Sequence, residues 1–77
     1  MRHAAFERAW RAFSSRVPFS PYAIELNTGH SIVVSHPEAV IIKDGLIICR
    51  ESNRTYRLFD SLSICQLHDL SRPRPSA

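Results

Sequence analysis

Between residues 21 and 70, apolar positions recur in short runs separated by polar breaks, and the spacing changes character once along the chain. Near the N-terminus Phe6, Trp10 and Phe13 stand four and three residues apart, which stacks them on one face of a helix over 3–14. Ala4, Ala5, Ala9 and Ala12 favour that helix, and Glu7 and Arg11 form a favourably ordered i,i+4 pair. Pro18 stops it, because the residue before a proline is pushed out of the α region. From Tyr22 the period drops to two: Tyr22, Ile24 and Leu26 face one way, Ala23 and Glu25 the other. A turn over 27–30, with Gly29 supplying positive φ, leads to a return strand over 31–35 with Ile32 and Val34 inward. Pro37 interrupts the sheet within His36-Pro37-Glu38, having no N–H to donate.

The strongest local signal follows. Residues 39–43 and 46–50 flank Asp44-Gly45, a two-residue turn of the primed kind. Both strands are apolar on both faces, which predicts cover on both sides, the helix supplying one and the sheet interior the other. After a polar loop over 51–54, strand 55–59, a helical turn over 60–63 capped by Asp60 or Ser61, and strand 64–67 complete the pattern. The expected fold is therefore mainly β with one N-terminal α-helix: a small, strongly curved antiparallel sheet, or barrel, of five to six strands. Residues 1–70 form one domain, and 71–77 a disordered, basic, proline-rich tail.

Size limits what such a chain does. A domain this short buries only about 60% of its unfolded surface, which leaves no room for a deep two-walled cleft and argues against an enzyme. A partner would relieve the shortage of core. The net charge is +3, but the first fifteen residues carry +2 and the tail +2, so residues 16–71 carry −1. The sheet region is near neutral, which weakens a nucleic-acid reading based on overall charge. There is no leader-like segment and no apolar stretch of the roughly 20 residues a membrane span requires, so the expected location is cytoplasmic.

No motif carries chemistry. His3, His30, His36, His68, Cys49 and Cys65 lack metal-site spacing, and no cofactor or metal is expected. Cys49 and Cys65 read as two buried thiols. A Cys–His dyad is not signalled, and Asp60 and Asp69 sit at turns and ends as caps. Two surfaces remain. Phe6, Trp10 and Phe13 on the helix, with Ile41, Ile47 and Cys49 along an apolar strand edge, suit a protein partner or a second copy. Arg50, Arg54 and Arg57 cluster about one hairpin with Tyr56 as a base platform, and suit RNA or single-stranded DNA as the alternative. In that alternative Arg50 and Arg57 face each other across the hairpin; the competing reading has Tyr56 inward in a solvated, charge-mixed loop.

The stretch Arg16-Val17-Pro18-Phe19-Ser20-Pro21-Tyr22-Ala23-Ile24-Glu25-Leu26-Asn27-Thr28-Gly29, followed by His36-Pro37-Glu38, resembles a family of small bacterial proteins numerous in planctomycetes. Members read R-P-F-x-P-F-x-I-x-L-x-D-G and then H-P-E. Here Val17 replaces a basic or polar residue, Tyr22 a Phe and Thr28 an Asp. The resemblance spans residues 6 to 68 and implies shape rather than activity. The order of elements is also similar to small SH3-like and Sm-like barrels, carried by 24–29 and 56–67. The RNA-contacting Asp and Asn positions of Sm-like proteins have no counterpart here, so that resemblance implies architecture alone.

Overall fold

A computed structural model describes residues 1–51 and 54–70. The expected tail over 71–77, and the Ser52-Asn53 part of the polar loop, lie outside the described residues. Helix α1 (His3–Ser14) is followed by β1 (Tyr22–Leu26), β2 (Ser31–Val34), a 3-10 turn (Pro37–Ala39), β3 (Val40–Lys43), β4 (Leu46–Arg50) and β5 (Tyr56–Phe59). A second 3-10 turn (Ser61–Ser63) then leads into β6 (Ile64–Asp69). The protein is thus mainly β with one N-terminal helix.

The six strands form two three-stranded antiparallel sheets, ordered β2-β1-β6 and β3-β4-β5. Among the described residues no ladder joins one sheet to the other. The chain enters the second sheet through the Pro37 turn and leaves it through the turn that Asp60 caps, its carboxylate accepting from Leu62 N–H at 3.0 Å. The first sheet is closed by the ends of the fold, since β1 pairs with β2 on one side and with β6 on the other.

One core serves both sheets. Tyr22 and Ile24 of β1, Ile32 and Val34 of β2, Ile47 and Cys49 of β4, and Ile64 of β6 meet Phe6 of the helix, all fully buried. Each large apolar side chain so placed contributes about 1.5–3 kcal/mol. Trp10, Phe13, Phe19, Leu26, Ile42, Phe59 and Leu67 close the margin. Phe13 stacks on Tyr22 with centroids 5.0 Å apart, and Phe19 meets the same ring edge-on at 6.2 Å. The helix therefore caps an end of the core with its aromatic face.

One expectation about facing is corrected. Ala23 faces outward beside Glu25 as read, yet it is buried, because it lies between Val33 and His68 on the central strand and their larger side chains shade it. The β3–β4 hairpin, read as covered on both sides, is covered on one. Val40, Ile42, Ile47 and Cys49 share the inner face, while Ile41 stays 55% exposed on the other. The helix is spent on the core and supplies no second layer there.

Candidate functional site

The residues suited to a partner separate into two groups. Phe6 is fully buried, and Ile47 and Cys49 point into the core, so none of the three offers surface. The register explains this: Ile42 opposes Ile47 and Val40 opposes Cys49, which puts both β4 residues on the face opposite Ile41. Trp10 and Phe13 are half-buried against the core, and the Arg16 guanidinium lies 4.8 Å from the Phe13 ring centre. Trp10 Nε1 is buried without an acceptor among the described residues, so packing alone holds that ring.

Ile41 survives as a surface residue, and the ladder gives it neighbours that hydropathy alone did not single out. Ile41 opposes Ile48, and Ile48 opposes Leu58, so three apolar side chains stand abreast across β3, β4 and β5. Leu58 is 59% exposed, Ile48 half-buried, and Leu46 extends the patch toward the turn. Lys43, opposite Leu46, and Arg50, opposite Tyr56, bound its two ends. Together these side chains form a contiguous apolar strip along the outer face of the second sheet. Leu58 does not stand out in the sequence because 55–59 shows little alternation; the signal that joins Ile48 to Ile41 is the two-residue turn, which fixes register and hence which residues share a face.

Three of the four basic-hairpin residues come together. An open groove of about 690 Å³ is lined by Arg50, Arg54 and Tyr56 with Val33, Ser35, His36, Ala39 and Glu51. Tyr56 is 61% exposed, against the inward reading. Arg57 is placed differently: it opposes Cys49, not Arg50, and so lies on the other face of β5. Its Nε donates to Glu51 Oε2 at 2.7 Å, and His30 Nε2 lies 3.4 Å from Glu51 Oε1. The hydrogen bond from Arg57 holds the Glu51 carboxyl below the usual carboxylate range. Arg50 and Arg54 form no ion pair among the described residues.

A second open groove, of about 640 Å³, lies on the outer side of the first sheet. Within it Glu25 accepts from Gln66 Nε2 at 3.0 Å, and His68 Nε2 lies 2.7 Å from the same carboxylate oxygen. These contacts lower the Glu25 pKa and stitch β1 to β6. Cys49 and Cys65 belong to different sheets and are not neighbours, and Cys65 is exposed, which corrects the reading of two buried thiols. Among the described residues no three His, Cys, Asp or Glu side chains gather as metal ligands, and no helix is long and apolar enough to cross a membrane. No family model, curated protein or solved structure matches the chain.

Proposed function

We propose that this chain is a cytoplasmic contact module without catalytic activity, which associates with a second copy of itself through the outer face of β3–β4–β5. The carrying observation is the row Ile41, Ile48 and Leu58, abreast on one face, with Ile41 and Leu58 exposed on either side of a half-buried Ile48. In this reading the two sheets are the halves of a small SH3-like or Sm-like barrel. Support comes from the shared core and from the way β2 runs into β3 through the Pro37 turn, as one strand bent at a corner would. The non-catalytic reading is supported by Cys49, a thiol sealed in the core with its pKa pushed up to about 12.

Area sets the strength of association. Three strands about 4.8 Å apart and five residues deep at about 3.4 Å each give a face of roughly 240 Å². A standard interface takes about 800 Å² from each partner, so this face alone makes a weak pair, with Kd on the order of 0.1–1 mM. A two-fold arrangement with strands antiparallel keeps the Arg50 ends of the two copies apart and lets the apolar rows meet.

Sedimentation or light scattering tests this. The average mass rises with concentration up to several hundred micromolar, and Leu58→Glu abolishes the rise while leaving the circular dichroism unchanged. A strictly monomeric wild type at those concentrations overturns the proposal. A charge at Ile47 or the change Trp10→Ala would not discriminate, because both strike the core and its margin.

A further inference from the structure

From the groove beside the Pro37 turn we infer a site for single-stranded nucleic acid, in which a base stacks on Tyr56 and the adjoining phosphates lie against Arg50 and Arg54. Three independent features of the groove meet in this assignment. Its two arginines form no ion pair among the described residues, so their charge is available to a ligand. The one carboxylate in the lining, Glu51, is already engaged by Arg57 at 2.7 Å and approached by His30 at 3.4 Å, so it repels an anion less than a free carboxylate would. The tyrosine ring is 61% exposed and sits directly opposite Arg50 in the β4–β5 ladder, so a stacking surface and a phosphate ligand share one register position.

The chemistry selects a polynucleotide over a lone anion. Arginine recognises phosphate oxygens through a planar fork, and an exposed aromatic ring takes any base by its π-face, so the pair favours a strand without fixing its sequence. A duplex offers no free base face to Tyr56. His36 and Ser35 add hydrogen-bonding groups to the lining of the groove. The near-neutral sheet region does not oppose this, because the charge that matters is local: Arg57 is spent on Glu51, and Arg50 and Arg54 remain. The site adjoins the Arg50 end of the apolar row on the same sheet face, and it does not require self-association.

Fluorescence anisotropy with labelled ten-nucleotide oligo-U and oligo-dT provides the test, with inorganic phosphate and a base-paired duplex as separate arms. The full chain binds the single strands at about 50 mM salt, with a log–log salt slope near −1.4 for two phosphates at about −0.7 each. Replacing both arginines (Arg50→Gln with Arg54→Gln) removes most of that slope and weakens binding at least tenfold. Tyr56→Ala weakens it roughly tenfold, the worth of one stacked base. Lys43→Gln, a cation at the far end of the same sheet face, leaves binding unchanged. Six results overturn the inference: no binding at low salt, affinity that persists at about 0.5 M salt, a duplex bound as tightly as the single strands, unchanged binding on Tyr56→Ala, equal loss on Lys43→Gln, or displacement by low-millimolar inorganic phosphate. Should the double variant fail to fold, the wild-type salt slope and the Tyr56→Ala result decide it.

Discussion

Cys49 and Cys65 occupy opposite extremes of exposure. Cys49 is 1% exposed, and burial first, then the nearby Glu51 charge, push its pKa to about 12. Cys65 lies on β6 at an irregularity: Glu25 pairs with Gln66 and Leu26 with Ile64, so Cys65 is the extra residue of the bulge and remains exposed. The native protein therefore gives one fast equivalent with a thiol reagent at neutral pH, and the second only on unfolding. Two fast equivalents would mean that Cys49 is not held in the core. In sequence both cysteines follow an isoleucine and precede a polar residue, so they read alike; only strand register separates them. Arg57 and Arg50 are a similar case, both basic hairpin residues, yet on opposite faces once Tyr56 rather than Arg57 opposes Arg50.

At the scale of the element, local backbone constraints made the chain readable. The helix, β1 and β4 stand where periodicity puts them, and Asp44 and Gly45 take φ of 52° and 78°, as a primed two-residue turn requires. An added Cβ at Gly45 would meet nothing within 4 Å, so Gly45→Ala carries only the backbone penalty of positive φ. It lowers stability by about 1 kcal/mol, measurable by urea denaturation. A loss several times larger would show that the turn also packs against something. What local signals did not reveal was which apolar face would be covered. Val40 and Ile41 are equally hydrophobic, and their fates diverge because one small helix, already committed to the core through Phe6, has no second face to give. The groove was half legible: Arg50, Arg54 and Tyr56 lie close in sequence, but His36 and Ser35 reach it only through the bend after β2. That the strands divide into two sheets rests on pairing between distant segments, which no short window contains.

Across the whole molecule, two carboxylates join parts far apart in the chain. Glu25 holds β1 to Gln66 and His68 of β6, and Glu51 holds Arg57 of β5 and approaches His30 in the β1–β2 turn. Both pKa values lie below the ordinary 4.5, Glu25 through the His68 and Gln66 hydrogen bonds and Glu51 chiefly through Arg57. A carboxyl whose folded pKa is lowered adds stability that is fully present above its unfolded value. That contribution fades as pH falls from 4.5 through the lower folded values. The melting temperature therefore drops on acidification below about pH 5, and replacing both residues by glutamine flattens the drop. An unchanged acid profile in the double variant would remove them as its cause. The pairing of β1 with β6 bears on the order of assembly. The meander of β3, β4 and β5 is contiguous in sequence and forms from neighbours, whereas the Glu25–Gln66 contact spans 41 positions and waits for everything between them. The last strand is thus the closing piece of the first sheet: without it β1 would keep β2 as its one ladder, although Ile64 also ties that strand to the core both sheets share.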